Sequence, residues 1–181
     1  PPAPGASAPA PGASAADSAT VVTGGLGGLG QLVASWDVRN GGTHITLLGR
    51  SGRAGEVDAS LIASGACVVM TRCDVSSADE ASSAALISHA PVRALLHAGG
   101  VLRDATIPNQ TAGRASAVMA PKCAGMARLD AQTHARAMRS SVLFSSVASL
   151  LGSGGQANYC AANGWLDASA RVAVSQGRAA A

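Results

Sequence analysis

The segment TVVTGGLGGLG, residues 20–30, constrains the fold more than any other part of the sequence. A short apolar run, which favours a β-strand, leads into a turn with glycines at positions 24, 27 and 30, and a helix-like segment follows. Glycine allows the backbone to turn sharply between the two elements. This order of strand, tight turn and helix is typical of the first βα unit of a parallel sheet.

Apolar runs and helix-like segments alternate along the rest of the chain, and this predicts the α/β class. Strands are predicted at Ala19–Thr23, His44–Leu48, Cys67–Cys73, Ala94–His97 and Val142–Ser145. Helices are predicted at Leu29–Arg39, Val57–Ser64, Ala78–Ser88, Gly113–His134 and Asn158–Val174. We therefore expect a Rossmann-like, doubly wound parallel sheet in three layers. Pro121 predicts a kink or a boundary inside the fourth helix.

The two ends of the chain differ from its middle. Residues 1–18 are almost entirely Pro, Ala, Gly and Ser, which predicts a disordered linker, and residues 19–181 then form a single domain. The last residues, SQGRAAA, follow the final predicted helix with no further strand, so we expect the sheet to be truncated at its C-terminal end.

Composition excludes several classes of function. Charged residues make up 13% of the chain, the net charge is +3 and the basic residues are scattered, so we expect no nucleic-acid partner. No apolar run approaches the roughly 20 residues that span a bilayer, so we expect no membrane association. Cys67, Cys73, Cys123 and Cys160 form no ligand pattern, which predicts no metal site, buried free thiols and a reducing, cytoplasmic compartment.

The glycine-rich turn predicts a phosphate-binding cradle, because free N–H groups at a helix start attract a pyrophosphate. The residues expected to contact a dinucleotide here are Thr23, Gly24, Gly25, Leu26, Gly27 and Leu29. A plain glycine-rich loop is the alternative interpretation.

The end of the second strand selects the dinucleotide. Arg50 and Ser51 stand where NAD sites carry an acid for the ribose. A guanidinium can pair with a 2′-phosphate, so we predict NADPH rather than NADH, although Arg50 can also be a solvated loop charge.

The ends of the next two strands complete the predicted cofactor site. Asp74, followed by Val75, can accept a hydrogen bond from the adenine amino group, or it can equally form a turn or helix cap. Ala98 and Gly99 are small enough to lie against the nicotinamide ribose, but small residues also suit any tight turn.

Four further residues predict a reducing site for a ketone. Tyr159, the only tyrosine, can protonate the carbonyl oxygen once its pKa, ordinarily about 10, is lowered, and Lys122 is the candidate for lowering it. Ser146 lies thirteen residues before Tyr159 and can hold the substrate oxygen. Asn163 lies one helical turn after Tyr159 and can hold a water that relays protons. Each residue taken singly is commonplace, but their joint occurrence at the carboxyl ends of strands favours catalysis.

These residues resemble the short-chain dehydrogenase/reductase superfamily and, within it, the ketoreductase domains of modular polyketide synthases and fatty-acid synthases. The similar blocks, over roughly residues 19–176, are TGGLGGLG, LLGRSG, CDV, HAGGVLRD, PK, LFSSVAS and YCAAN. Most of the superfamily carries YxxxK; here Asn163 follows Tyr159 and the lysine is Lys122, the exchange that marks synthase ketoreductases. The resemblance implies that Lys122, Ser146, Tyr159 and Asn163 are catalytic.

The resemblance also implies the substrate and the partners. The substrate is a β-ketoacyl thioester on the phosphopantetheine arm of an acyl carrier protein, and other synthase domains lie in the same polypeptide. The family's LDD signature appears as Leu102, Arg103 and Asp104, and Leu151 is not the tryptophan of the opposite class, so we expect the LDD-type product configuration although Ala161 is not the associated proline.

Other interpretations remain open at this point. They are a stand-alone reductase of the same superfamily acting on a small carbonyl compound, and a non-catalytic dinucleotide fold within a synthase. Because the family's structural half and substrate lid have no counterpart in these residues, we expect the isolated chain to bind NADPH but to reduce ketones poorly.

Overall fold

Five short strands build the sheet. They are β1 Ala19–Thr23, β2 His44–Gly49, β3 Cys67–Arg72, β4 Val92–His97 and β5 Ser140–Leu143. The structure is a computed structural model that describes residues 18–52, 58–84, 88, 90–133, 138–178 and 180. Within these ranges the strand order is β3-β2-β1-β4-β5 and every pairing is parallel.

The helices follow the strands in alternation. They are α1 Gly28–Arg39, α2 Ala59–Ala63, α3 Ala78–Ala84, α4 Ala112–Met119, α5 Gly125–Thr133, α6 Ala148–Leu151 and α7 Ala157–Ser175. A short 3₁₀ turn spans Ile107–Asn109, and a π-helical segment, Ala120–Ala124, joins α4 to α5. Local chemistry sets several of the helix starts: the Asp58 carboxylate accepts from the Ser60 N–H, and the Thr111 hydroxyl accepts from the Arg114 N–H.

The core lies on both faces of the sheet, since neighbouring residues of a strand point to opposite sides. Val21 packs in a cluster with Met126 and Leu166, on the side of α5 and α7. Val22 packs in a second cluster with Ala34 and Leu61, on the side of α1 and α2. Two helical layers therefore enclose the sheet, and the predicted three-layer, doubly wound fold is confirmed.

The chain reverses its direction of winding at the centre of the sheet. From β1 it proceeds to β2 and β3 on one side, then crosses to β4 and β5 on the other. The carboxyl ends of β1 and β4 consequently border a crevice, which is where open α/β sheets bind ligands.

Several element boundaries differ from the sequence prediction. β4 begins two residues earlier than predicted, and β5 lies two residues earlier, at Ser140–Leu143 instead of Val142–Ser145. The short helix α6 was not predicted. The third helix was predicted to reach Ser88, but Ser88 is not helical and residues 85–87 lie outside the described ranges.

Three further predictions need a correction or a limit. Cys67 is exposed rather than buried, whereas Cys73 is buried and Cys123 and Cys160 are half-buried; all four thiols are free. After α7 the chain returns to the sheet, where Ala180 forms a single parallel bridge with Ser141. The predicted linker, apart from Ser18, lies outside the described residues. Within the described ranges, no helix has the combined length and apolar character that crossing a bilayer requires.

Candidate active site

The turn between β1 and α1 brings two glycine-rich loops into backbone contact. Gly24 has a positive φ of 66°, and a Cβ atom at that position would lie 2.8 Å from the Cα atom of Gly99. A Cβ atom at Gly30 would lie 2.3 Å from the carbonyl oxygen of Gly24. Side chains at these positions would force the loops apart, so glycine is required for the turn to close.

A cleft of about 680 Å³ opens above this turn, at the carboxyl ends of β1, β2 and β4. The residues that line it are Gly24, Leu26, Gly27, Gly28, Leu29, Gly30, Leu48, Gly49, Arg50, Ser51, Cys73, Asp74, Val75, Ala98, Gly99, Gly100, Val101 and Pro121. With two exceptions, the residues predicted to contact the cofactor are in this set. The first turn of α1 also lines the cleft. Its backbone N–H groups are available to an anion there.

The two exceptions, Thr23 and Gly25, lie behind the cleft. The Thr23 hydroxyl accepts a hydrogen bond from the Gly99 N–H at 3.2 Å and lies 2.8 Å from Nδ1 of His97. The N–H of Gly25 donates to the carbonyl of Leu48, and a Cβ atom there would lie 2.7 Å from the carbonyl oxygen of Val22. Both residues therefore support the loops that line the cleft.

Charged residues stand at the end of the cleft beyond β2 and β3. Arg50 is exposed and lines the cleft beside Asp74. The hydrogen bond from the Ser76 hydroxyl lowers the pKa of Asp74; burial, the next largest effect, raises it, and the Ser76 N–H and the charges of Arg50 and Arg72 lower it further. Oδ1 of Asp74 accepts from the Ser76 N–H at 2.9 Å and from its hydroxyl at 2.6 Å. The turn-forming role that the sequence left open for Asp74 is thus present, and within the described ranges it engages only Oδ1.

Lys122 occupies the π-helical segment, immediately after Pro121. The Gly125 N–H donates to the carbonyl of Ala120, five residues back, so the helix contains a wide turn at the proline. The predicted kink or boundary is confirmed in this form. The Lys122 side chain is only 4% exposed, and its Nζ donates to the carbonyl of Phe144 at 2.9 Å. Burial lowers the pKa of Lys122.

Lys122 lies between the cleft and Tyr159. A Cβ atom on the cleft-lining Gly100 would lie 3.0 Å from Cε of Lys122. On its other side, Nζ lies 5.5 Å from the centroid of the Tyr159 ring, a distance within the range of a cation–π contact. The structure therefore brings Lys122 and Tyr159 together beside the end of the cleft.

Asn163 and Ser146 are connected to this pair through the backbone. The Asn163 side chain is fully buried, and its Nδ2 donates to the Tyr159 carbonyl at 2.8 Å. Its Oδ1 atom is buried and has no hydrogen-bond partner among the described residues. Ser146 follows β5 by three residues, and its hydroxyl accepts from the Ala148 N–H at 3.2 Å. The adjacent Ser145 donates to the Asn163 carbonyl at 3.3 Å.

His97, which was not predicted as a site residue, lies fully buried at the end of β4. Burial, and then the charge of Lys122, lowers the pKa of His97 to about 4. Its contact with Thr23 connects it to the glycine turn, and the backbone of Pro121 and Lys122 lies against its ring. Its position at the carboxyl end of a central strand was the available signal, because that edge of the sheet borders the crevice.

Comparisons with known proteins agree on one family. The model of the KR domain family matches residues 18–181. The chain is 38% identical over 159 residues to the highly reducing polyketide synthase g433 of Fusarium sp, covering 86% of this chain and 6% of that protein. It is 42% identical over 154 residues to polyketide synthase GfsB of Streptomyces halstedii, covering 82% of this chain and 3% of that protein.

Solved structures give the same result. An A-type ketoreductase structure from a modular polyketide synthase is similar with a TM-score of 0.85 and 34% identity, over 91% of this chain and 37% of that one. The ketoreductase from the first module of phoslactomycin biosynthesis in Streptomyces sp. HK803 has a TM-score of 0.83 and 36% identity, over 91% of this chain and 40% of that one. The chain thus spans a small part of these two synthases and less than half of these two solved ketoreductases.

Proposed function

Because this chain belongs to the family of KR domains found in polyketide synthases, we propose that it reduces a β-ketoacyl thioester to the β-hydroxyacyl thioester with NADPH. The family is one of oxidoreductases that use nicotinamide dinucleotides. The single observation that carries the proposal is the position of Lys122, in contact with the Tyr159 ring on one side and with the wall of the glycine-lined cleft on the other.

The residues of the cleft fit a dinucleotide. The contact between Gly24 and Gly99 leaves backbone rather than side chain at the cleft wall, so a pyrophosphate could approach closely. The helix that starts at Gly28 supplies N–H donors for it. Arg50 and Asp74 both line the cleft; Arg50 would pair with a 2′-phosphate, and Oδ2 of Asp74, which has no hydrogen bond among the described residues, would accept from an adenine amino group. These features support NADPH as the cofactor.

The bound cofactor would supply a hydride to the carbonyl carbon of the substrate. Tyr159 then donates its phenolic proton to the carbonyl oxygen, so that one hydride and one proton convert the ketone into a secondary alcohol. Ser146 holds the same oxygen by a hydrogen bond before and during the transfer. The buried ammonium of Lys122 stabilises the negative charge left on Tyr159.

Asn163 would return a proton to Tyr159 through a water molecule. The support is the orphaned Oδ1 atom, because a buried amide oxygen without a protein partner is a natural acceptor for an ordered water. The other end of the side chain is fixed on the Tyr159 backbone carbonyl at 2.8 Å, one helical turn before Asn163.

We further propose an acyl carrier protein as the donor of the substrate and other synthase domains as neighbours in the same polypeptide. The support is that the relatives are polyketide synthases of which this chain covers 3 to 6%. The cytoplasmic location and the LDD-type product configuration remain predictions; the latter is testable by chiral chromatography of the alcohol.

The test compares the wild type with Tyr159→Phe, using NADPH and a β-ketoacyl thioester mimic. We expect the variant to lose about 10²- to 10⁴-fold in kcat, because it lacks the proton donor, while its Kd for NADPH stays within twofold of the wild type. Nicotinamide absorbance reports the reaction and cofactor fluorescence reports binding. The pair is measured in the chain itself and in a longer polypeptide with flanking segments, since slow reduction is expected of the isolated chain. Equal rates for the two proteins in both formats would refute the mechanism.

A further inference from the structure

Asp167 is a charged residue beside the catalytic groups to which the proposed mechanism gives no role. It lies on α7, eight residues after Tyr159 and four after Asn163. Residues spaced by four and eight along a helix share one face, so Asp167 continues the face that carries the two catalytic residues.

The Asp167 carboxylate contacts the segment that carries Ser146. Its Oδ2 atom lies 2.7 Å from the hydroxyl of Ser149, which is also 2.8 Å from the carbonyl oxygen of Ser146. The single hydroxyl proton favours the charged acceptor. A hydrogen bond from Ser145 also reaches Asp167, and the Ser145 hydroxyl stands next to the Asn163 carbonyl as well. Residues on both sides of Ser146 are thus held against α7.

The same carboxylate acts on Lys122. Hydrogen bonds from Ser145 and Ser149, followed by the charges of Arg171 and Lys122, keep the pKa of Asp167 below its ordinary value, so it is ionised at neutral pH. Burial lowers the pKa of Lys122, and the charges of Cys123 and then Asp167 oppose that effect. Lys122 is in turn bonded to the carbonyl of Phe144, directly before Ser145. Asp167 therefore acts on Lys122 in two ways. Its charge affects the ammonium directly, and its hydrogen bond from Ser145 holds the backbone next to the carbonyl that accepts from Lys122.

We propose that Asp167 is a positioning residue of this site, whose carboxylate fixes the Ser146 segment against α7 and serves as the counter-charge to the buried Lys122. The inference rests on the proposed function in so far as Lys122 and Ser146 act in the reaction. A carboxylate in this place lets an ammonium remain charged in a site almost closed to water, where an unbalanced charge is costly.

Lys122 is the only lysine in the sequence, so a lysine-specific label reports on this site and on nothing else. With 13Cε-labelled lysine, the Lys122 resonance is followed by NMR as a function of pH in the cofactor-free protein. Among the described residues, the titratable groups that face Lys122 are Tyr159 and Asp167 on α7, His97 at the end of β4 and the adjacent Cys123. We expect Asp167→Asn, which keeps the shape but removes the charge, to move the Lys122 midpoint to lower pH.

The matched control is Asp79→Asn, the same change at an exposed position on α3. It should leave the Lys122 midpoint in place. An unmoved midpoint in Asp167→Asn, or an equal displacement in both variants, would overturn the proposal. Because this titration needs no turnover, it is separate from the Tyr159→Phe comparison, whose failure would count against the proposed function instead.

The kinetic test uses the longer polypeptide. Asp167→Asn should lower kcat about tenfold, keep the Kd for NADPH within twofold, and move the alkaline limb of the pH–rate profile to lower pH, as Lys122 loses its proton sooner. Ser149→Ala removes one contact of the carboxylate and preserves its charge, so kcat should fall while the Lys122 midpoint stays. This second variant keeps the test decisive if Asp167→Asn folds poorly: an unchanged kcat in Ser149→Ala would contradict the positioning role.

Discussion

Arg50 is the residue on which the proposed preference for NADPH depends. It is exposed at the end of β2 and lines the cleft, so its side chain can reach a phosphate without paying for burial. A hydrogen-bonded charge pair contributes about 1.5–3 kcal/mol. We expect Arg50→Ala to weaken NADPH binding by about 10- to 100-fold and NADH binding by less than threefold, measured by cofactor fluorescence.

The control for Arg50 is Arg139→Ala. Arg139 is an exposed arginine directly before β5, at the amino end of the sheet and therefore on the edge opposite to the cleft. The Arg139→Ala substitution removes the same charge from the molecule but should leave the dissociation constants for NADPH and NADH unchanged. Equal losses for the two cofactors in Arg50→Ala would mean that this guanidinium does not recognise the 2′-phosphate.

Single residues of the site could be predicted from sequence where local spacing fixes their relation. Asn163 lies one turn from Tyr159 on the same helix, and the structure shows its amide bonded to the Tyr159 carbonyl. His97 and Asp167 could not be found in this way, because their relation to Lys122 arises only when β4 and α7 pack against the π-helical segment. Their signals are positional: one ends a central strand, and the other continues the face of Tyr159 and Asn163.

Among the structural elements, the β1–α1 unit is the one that tolerates least change. A methyl group at Gly30 would collide with the Gly24 carbonyl at 2.3 Å, and backbone on both sides cannot yield easily. We expect Gly30→Ala to lower the free energy of unfolding by about 1–3 kcal/mol and to reduce NADPH affinity at least tenfold. Urea unfolding and a fluorescence titration measure the two effects.

The matched substitution is Gly164→Ala, in the interior of α7, where, apart from the helix itself, no described residue lies within 4 Å of the added methyl group. Glycine inside a helix costs about 1 kcal/mol relative to alanine, so this variant should be more stable by up to that amount. If both variants lost stability and affinity alike, the close approach at Gly30 would not be the cause.

The bounds of an element were predicted well where its residues are buried along its whole length. They were predicted poorly where side chains form hydrogen bonds with backbone groups at its end. β1 is buried along its whole length and its bounds agree with the sequence prediction. β5 ends two residues early, because the Phe144 carbonyl is occupied by Lys122 and Ser145 turns to α7, which ends the ladder at Leu143. The four-residue helix α6 is too short to leave a periodic pattern.

At the scale of the whole molecule, His97 couples stability to pH. Its pKa is lowered to about 4 in the folded chain, against about 6.5 when unfolded, so the unfolded chain binds the proton more readily. The contribution of neutral His97 to the free energy of unfolding is complete above pH 6.5. It is lost as the pH falls from 6.5 to 4, by about 3 kcal/mol in total. The pKa values of Asp74 and Asp167 are lowered from 3.8, so the stability that these carboxylates contribute is lost only at lower pH, below this window.

Urea unfolding between pH 7 and pH 4 measures this loss. His97→Gln cannot take up a proton, so its unfolding free energy should change less over the same window. NMR of labelled histidine rings in the wild type gives the His97 midpoint directly, in case the variant is too unstable. A His97 midpoint near 6.5, or equal slopes for the two proteins, would contradict the assignment.

The architecture as a whole followed from the sequence because alternation and glycine placement are properties of the chain itself. Both the α/β class and the parallel sheet with its central crevice are confirmed. The burial of individual side chains could not be predicted from the sequence. Cys67, expected inside from its apolar surroundings, is exposed because β3 is the edge of the sheet among the described residues.

The number of residues in the wide turn at Ala120–Ala124 determines the direction in which the Lys122 side chain points. A π turn contains one residue more than the α turn it replaces, and each residue advances an α-helix by about 100°. Deleting one residue from this stretch would turn the helix on one side of the deletion by roughly a quarter of a revolution relative to the other side, and would leave Pro121 in a regular α turn that it cannot complete. We expect a shortened chain of that kind to lose the contact between the Lys122 ammonium and the Tyr159 ring.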